Sequence, residues 1–147
     1  MPIRAACADD IDAIMAIERR AHFHPWSEQV VRRYLNKTGS VWVLEEAQVI
    51  AYAVITLIAG EAELLMIAVD PGHQGKGAGR QLMNFLQQHL TAQQAEQWFL
   101  DVRESNHKAI ALYESMGFCQ AGCRTGYYPT ASGQEDALLY CLDMTTE

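Results

Sequence analysis

The sequence predicts a mixed α/β fold in which a mostly antiparallel sheet of seven strands is flanked by about four helices. Apolar runs of strand length alternate with segments whose apolar residues recur at helical spacing. One apolar run leads through a glycine-rich loop into a helix, which indicates a single βαβ unit, and the other strands are joined by turns. The resulting order, β-α-α-β-β-β-α-β-α-β-β, fits neither a doubly wound dinucleotide-binding sheet nor a helix bundle.

The first half of the chain predicts a short strand, two helices and a hairpin. Short polar side chains before each helix can cap its first turn by accepting hydrogen bonds from free N–H groups. Residues 45–48 separate two β-rich runs and predict the hairpin turn. In order, these elements are a strand at residues 3–6, a helix from a cap at Asp9 or Asp10 to about Arg20, a helix from a cap at Ser27 to a stop at residues 37–40, and strands at residues 41–44 and 49–58.

The second half predicts two alternations of a strand and a helix, followed by a final pair of strands. The apolar run at residues 64–69 stops at Asp70-Pro71-Gly72, because proline lacks the N–H that a sheet ladder needs. After it come a helix starting near Gly79, a strand at residues 98–102, a helix at residues 106–116 ended by Gly117, and two strands between Cys119 and Asp143 joined by a loop at residues 128–133.

Length and composition limit the possible functions. The 147 residues are expected to form one domain, 1–147, and the net charge of −7 argues against general nucleic-acid binding. The chain has no apolar stretch long enough to span a membrane and no signal-peptide pattern at its start, so we expect a cytoplasmic protein without membrane contact. The four cysteines lack a second ligand pair at zinc spacing, and we expect neither a disulfide framework nor a metal.

The main functional signal is the loop that follows the apolar run at residues 64–69. Gly75, Gly77 and Gly79 alternate along it. Glycines let the backbone turn sharply and leave its N–H groups open to an anion, and the start of a helix adds free N–H groups and a positive dipole end. Lys76 and Arg80 add positive charge to an otherwise acidic chain. The loop is therefore predicted to bind phosphate.

Several interpretations of this loop compete. A P-loop requires Gly-Lys-Ser or Gly-Lys-Thr, but Lys76 is followed by Gly77. A dinucleotide fingerprint requires G-x-G-x-x-G, and its remaining support here is Asp101, roughly 20 residues beyond the loop. An ordinary glycine-rich surface turn is a third possibility. The segment Gln74–Gly79 also fits Q/R-x-x-G-x-G/A, the pyrophosphate loop of the GNAT acetyltransferases.

The chain resembles the GNAT acetyltransferase family over essentially its whole length. The loop follows a strand ending in Ile67-Ala68-Val69, and residues 106–118 look like the second signature of the family. Two further segments, Pro25-Trp26-Ser27-Glu28 and Tyr127-Tyr128-Pro129, resemble the branch that acetylates the N-terminal alanine of ribosomal proteins. The joint order and spacing of these motifs favour acetyl-CoA over a dinucleotide or a plain turn.

The resemblance implies how acetyl-CoA binds. Its pyrophosphate would lie on the glycine loop, and its amide-bearing arm would run like an added strand beside residues 67–69. The family's sheet splays beyond this strand, so a backbone N–H there would stabilise the thioester oxygen. Asn106 would bind the arm, cap its own helix, or do both. The implied cofactor-binding residues are Ile67, Ala68, Val69, Gln74, Gly75, Lys76, Gly77, Ala78, Gly79, Arg80 and Asn106.

Two residues are candidates for proton transfer. An α-amino group has a pKa of about 7.7–8.0 and must lose a proton before it attacks. Asp101 could take this proton, and because the family branch carries the longer glutamate here, a bridging water is expected. Tyr113 matches the general-acid tyrosine of the family and would protonate the departing thiolate. The structural alternatives are a capping role for Asp101 and a packing role for Tyr113.

The acceptor implied by the resemblance is a protein N-terminus, specifically that of a ribosomal protein. Pro25, Trp26, Tyr127 and Tyr128 could flank its first residues. No cysteine lies in a triad-like context, so direct attack in a ternary complex is expected. A small amine such as a polyamine or an aminoglycoside, or a non-catalytic role in acetyl-CoA sensing, stays open. Four acidic residues could attract a basic peptide or be ordinary solvated charges: Glu18, Glu104, Glu135 and Asp136.

Overall fold

The structure, a computed structural model, describes residues 2–145, and its elements follow the predicted order. Short 3-10 turns at Ala8–Asp10 and Pro71–His73 join the main elements. The helices and strands are β1 Ile3–Ala5, α1 Ile11–Ala21, α2 Glu28–Leu35, β2 Val41–Glu46, β3 Gln48–Ile58, β4 Glu61–Val69, α3 Ala78–Ala92, β5 Gln97–Arg103, α4 His107–Ser115, β6 Cys119–Thr130 and β7 Gly133–Asp143.

The seven strands form one mixed sheet in the order β1-β2-β3-β4-β5-β7-β6. Strands β4 and β5 pair in parallel, whereas β1–β2, β2–β3, β5–β7 and β7–β6 pair antiparallel. The parallel ladder joins Glu61–Leu64 to Gln97–Leu100, so β4 begins earlier than predicted and its last five residues lie outside that ladder. The predicted seven-stranded, mostly antiparallel sheet is confirmed.

The chain groups into two compact units. The first contains the residues up to Thr56 together with Leu65–His89, and the second contains Leu57–Leu64 and the residues from Leu90 onwards. In the first unit, the apolar stripe of α1, which includes Ile14, packs in one cluster with buried side chains of β2 and β3, such as Val43. That both units make one domain stays a prediction.

The core of the second unit is built around Trp98 of β5. This side chain is fully buried, and its ring lies 5.2 Å from that of Phe118. Leu100 and Tyr140, which are partners across β5 and β7, are also buried. Within residues 2–145 the indole N–H of Trp98 has no hydrogen-bond partner.

The helix starts show which predicted caps form. The Ser27 hydroxyl accepts from the Val30 N–H at 3.3 Å, so the predicted cap of α2 is confirmed. Asp10 is the N-cap residue of α1, as predicted, but the predicted side-chain cap is wrong, because its carboxylate instead accepts from the Cys7 N–H at 2.8 Å and pairs with Arg4 at 2.9 Å. No helix between residues 2 and 145 combines the length and the apolar character needed to cross a membrane.

The predicted loop at residues 128–133 is largely wrong. Strand β6 continues through Tyr128 and Pro129 to Thr130, which leaves a two-residue turn before β7. Proline lacks the N–H that a strand needs to pair with a neighbour. Pro129 is tolerated because β6 is an edge strand, and its open side has no neighbouring strand to pair with. The β6–β7 pairing is also irregular in two places, between Gln120 and Gly122 and between Arg124 and Tyr128.

Candidate active site

The glycine loop lies in the first unit and leads directly into α3. Gly75 and Gly77 have φ values of +79° and +84°, in the left-handed region that favours glycine. A Cβ at either position would meet nothing within 4 Å, so backbone conformation and not crowding explains the glycines. Helix α3 begins at Ala78, and its first bond runs from the Gln81 N–H to the Gly77 carbonyl.

The start of the loop is held by Asp70, a buried residue at the end of β4. Its carboxylate accepts from the Gly72 N–H at 3.3 Å, from His73 Nδ1 at 3.0 Å and from Arg20 at 2.6 Å. The hydrogen bond from His73 and the charge of Arg20 hold the pKa of Asp70 below its ordinary value. Asp70 is therefore an anionic anchor that fixes where the strand ends and the loop begins.

The residues of this loop fit a pyrophosphate group. Ala78 is buried, whereas most other residues of the loop are exposed, namely Gln74, Gly75, Lys76, Gly77 and Arg80. The first N–H groups of a helix have no acceptor within the helix, and here they follow two open glycines and a lysine. The Gln74 amide is also used inside the loop, because it donates to the Val69 carbonyl at 3.2 Å.

The strand residues predicted to bind the arm of acetyl-CoA lie in the same unit. Ile67 and Val69 are half-buried, and Ala68 is buried. Pro25 and Trp26 lie between α1 and α2. Pro25 is exposed, and the Trp26 ring stacks on that of Tyr34 at 5.6 Å.

Asp101 lies near the end of β5 in the second unit, and its carboxylate is engaged by a residue that sequence reasoning missed. Arg124 Nε donates to Asp101 Oδ1 at 3.2 Å, with side-chain exposures of 54% for Arg124 and 22% for Asp101. The carboxylate therefore makes an ion pair, whereas the predicted structural alternative was a backbone cap. Arg124 could have been found from the sequence, because it is the one charged residue of β6.

Tyr113 is buried on α4, where its ring lies 5.8 Å from that of Phe118. Burial, and then the neighbouring Tyr128, raise the pKa of Tyr113 above its ordinary value. The phenol therefore keeps its proton at neutral pH. Asn106 caps this helix, since its side-chain oxygen accepts from the Ala109 N–H at 3.2 Å, and its amide N–H groups are not used by that bond.

Tyr127 and Tyr128 lie in the second unit with Asp101, and the arginine over the Tyr127 ring, Arg124, is the one that pairs with Asp101. Arg103 stacks over the Tyr128 ring at 4.5 Å and Arg124 over the Tyr127 ring at 5.5 Å. Burial, followed by the charge of Asp101, raises the pKa of Tyr128 to about 12. The second unit thus brings together Asp101, Tyr113, Tyr127 and Tyr128.

Three of the four acids considered as peptide attractors are engaged within the chain. Glu18 is fully buried, Glu135 pairs with Arg103 at 3.1 Å, and Asp136 accepts from the Gly126 N–H at 2.9 Å. The idea that Glu18 is a solvated charge is therefore wrong. Its position could have shown this, because Glu18 falls at the helical spacing of Ile11 and Ile14 on the apolar stripe of α1.

Other features that could form a binding site are the cysteines, of which Cys123 donates through Sγ to the Asp136 carboxylate at 3.6 Å, and one surface cavity. All four cysteines are free, and residues 2–145 contain no cluster of three or more potential metal ligands. A cavity of about 340 Å³ is lined by residues such as Cys7, Lys37 and Val41, but by none of the residues predicted to bind acetyl-CoA or to transfer protons.

Comparison with known proteins identifies the family. The model of the Acetyltransferase (GNAT) family matches residues 11–118, which is most of the chain. The chain belongs to the GNAT acetyltransferase family. Enzymes of this family use acetyl-CoA as the acetyl donor, and the predictions of family and fold are confirmed.

Individual GNAT proteins align over nearly the full chain. The [ribosomal protein bS18]-alanine N-acetyltransferase of Salmonella typhimurium is 41% identical over 141 residues, which cover 92% of this chain and 93% of that protein. The crystal structure of the ribosomal-protein-S18-alanine N-acetyltransferase from Escherichia coli superposes with a TM-score of 0.93 at 37% identity, covering 99% of this chain and 95% of that one. The yncA protein of Salmonella typhimurium, solved with its cofactor acetyl-CoA, shares the fold, with a TM-score of 0.85 at 23% identity and coverage of 100% and 95%.

Proposed function

We propose that the protein transfers the acetyl group of acetyl-CoA to the α-amino group of an N-terminal alanine on a small-subunit ribosomal protein, namely S18. The observation that carries this proposal is the 41% identity, over 92% of the chain, to an enzyme named for that activity. The supporting chemistry is a loop suited to pyrophosphate in the first unit, and a carboxylate and a protonated phenol in the second.

Acetyl-CoA supplies an activated acyl group as a thioester with a thiolate leaving group. In the proposed site, the backbone N–H groups of Gly75–Gly79 and the positive end of α3 hold the pyrophosphate, assisted by Lys76 and Arg80. Residues 67–69 hold the arm, and a backbone N–H among them stabilises negative charge on the thioester oxygen. The amide of Asn106 donates to the arm while its oxygen caps α4.

Asp101 is the proposed general base. It receives the proton of the acceptor's ammonium group, directly or through one water, so that the free amine attacks the carbonyl carbon. The ion pair with Arg124 keeps the carboxylate oriented. Because such an exposed pair is worth only about 0–1 kcal/mol, an incoming ammonium can replace the guanidinium at Asp101.

Tyr113 is the proposed general acid. Its raised pKa means that the phenol holds a proton throughout the neutral pH range, and it donates that proton to the leaving thiolate. Pro25, Trp26, Tyr127 and Tyr128 contact the first residues of the acceptor. No protein side chain is acetylated on the way, since the amine attacks directly.

The test is an acetylation assay with purified protein, acetyl-CoA and a set of acceptors. A peptide with the N-terminal sequence of S18 should be acetylated on its α-amine, and the same peptide with a blocked N-terminus should be inert even if it contains lysine. Spermidine and an aminoglycoside are the comparison acceptors. Faster turnover of either small amine would replace the proposed acceptor, and acetyl-CoA binding without turnover of any acceptor would indicate a sensor.

A further inference from the structure

Glu18 of α1 is a carboxylate with no solvent exposure, and it accepts three hydrogen bonds. The donors are the Tyr52 hydroxyl at 2.6 Å, His22 Nδ1 at 2.8 Å and the Trp26 backbone N–H at 2.9 Å. Burial disfavours the charge, but the bonds from His22, Tyr52 and Trp26 outweigh it and hold the pKa of Glu18 below its ordinary value. A buried, ionised carboxylate that accepts three hydrogen bonds has a defined orientation.

Two of these three donors belong to residues 22–26, here called the acceptor segment, which joins α1 to α2. The third donor, Tyr52, is a fully buried residue of β3 and gives Glu18 a rigid support. The middle of the segment is not held in this way, since Phe23 is 65% exposed and contacts His24 through its ring edge at 4.7 Å. The segment therefore has fixed ends and an exposed apolar centre.

The carboxylate also determines which ring nitrogen of His22 carries a hydrogen towards it. An ionised carboxylate can only accept, so His22 Nδ1 must carry the hydrogen. In the neutral imidazole, Nε2 then has the free lone pair, and the His22 side chain is 34% exposed. Through this bond, Glu18 orients His22 so that its Nε2 can accept a hydrogen bond from an N–H or ammonium group. His22 lies on the same segment as Pro25 and Trp26.

We propose that Glu18 is a positioning residue that sets the acceptor segment for the incoming polypeptide N-terminus, and that His22 Nε2 accepts a hydrogen bond from that polypeptide. This inference rests on the proposed function, because it concerns the acceptor of the same reaction. If the segment is already ordered before binding, no entropy is lost in ordering it when the polypeptide binds. Glu18 therefore increases the affinity for the polypeptide without contacting it. Binding of acetyl-CoA does not use this segment.

The test is the Glu18→Gln variant, in which one acceptor oxygen becomes an NH₂ donor that faces the donors of Tyr52, His22 or Trp26. The KM for the alanine-initiated peptide should rise about 10-fold or more, whereas kcat and the KM for acetyl-CoA should stay within about 3-fold, the pattern of lost ground-state binding. Amide hydrogen exchange at Trp26 should become faster. Neither the KM split nor this local exchange is expected from a general loss of stability.

Two further variants keep the test decisive. His22→Phe should raise the peptide KM while leaving Glu18 bonded to Tyr52 and Trp26, so it tests the imidazole separately. Asp10→Asn is the matched control, since Asp10 is the buried carboxylate just before the same helix and bonds to Arg4 and the Cys7 N–H. It should lower the melting temperature without changing either KM.

The outcomes separate this inference from the proposed function. If the wild-type protein acetylates the peptide but Glu18→Gln has an unchanged peptide KM, or raises both KM values equally, Glu18 does not position the acceptor. If Glu18→Gln does not fold, an unchanged peptide KM in His22→Phe overturns the proposed contact. If the wild-type protein binds acetyl-CoA and acetylates no alanine-initiated peptide, the proposed function and this inference both fail.

Discussion

The Gly77→Asp substitution tests the glycine loop most directly. Gly77 has a φ of +84°, and a Cβ there would meet nothing within 4 Å, so the new Cβ clashes with no neighbour. The cost to folding is then that of a left-handed backbone for a residue with a Cβ, about 1–2 kcal/mol. For a chain of this size, the melting temperature should fall by about 2–8 °C, and the protein should remain folded at 25 °C.

The effect on binding should be much larger than the effect on folding. Two unit charges about 6 Å apart, at an effective dielectric constant of about 20, repel by about 3 kcal/mol, so the Kd for CoA should rise roughly 100-fold. Gly77→Asn has nearly the same shape without the charge, and should lose much less affinity. Calorimetric titration with CoA at two salt concentrations separates the loss of affinity due to charge from the loss due to shape, because added salt weakens only the part that comes from charge.

Gly39→Asp is the matched control for strain. Gly39 follows α2, has a φ of +77° and likewise has nothing within 4 Å of its Cβ position. This variant should lose similar thermal stability and bind CoA as the wild type does. Unchanged CoA affinity in a folded Gly77→Asp protein, or an equal loss in both variants, would show that the loop does not bind the pyrophosphate.

Four other predictions concern the chemical step and stability. Tyr113→Phe removes the proton donor and little packing, so kcat should fall by ~10²–10⁴-fold while calorimetry gives an unchanged CoA affinity; a near-normal kcat under conditions where chemistry limits turnover would exclude the role. Asp101→Asn should lower kcat/KM, with the loss shrinking as the pH rises and the acceptor amine deprotonates unaided, whereas Asp101→Glu should stay active; a pH-independent loss would argue against a base. Replacing all four cysteines should leave appreciable activity in the same assay, and an acetyl-cysteine trapped on the wild type and detected by mass spectrometry would contradict direct transfer. Finally, Arg4 lowers the pKa of Asp10 from 3.8 to about 2, so this carboxylate stabilises the fold above about pH 4 and loses that contribution as the pH falls towards 2; Asp10→Asn should flatten the melting temperature over that range, and an unchanged pH dependence would refute the assignment.

Local patterns predicted those parts of the molecule in which near neighbours in sequence determine the structure. The glycine loop and the start of α3 depend on the residues between Asp70 and Arg80, and both were predicted. Pro129 misled the prediction for β6, because whether a proline can lie in a strand depends on whether that strand is at the sheet edge. This is a property of strand order, which cannot be read from a single segment.

The missed features of the candidate site depend on contacts between residues far apart in sequence. Arg124 lies 23 residues from Asp101, and Tyr52 lies 34 residues from Glu18. Periodicity could have placed Glu18 on the apolar stripe of α1, but it could not supply the hydroxyl and the backbone N–H that make a carboxylate stable there. Sequence identifies such a residue as unusual, and only the tertiary structure shows what satisfies it.

The two edges of the sheet have a consequence for how copies of this chain behave at high concentration. An exposed, regular edge strand can pair with the edge of another molecule and start aggregation. Here one edge is β1, which is only three residues long, and the other is β6, which contains Pro129 and two irregular stretches. Neither edge offers a long, regular row of free N–H and C=O groups, so the fold itself resists edge-to-edge polymerisation.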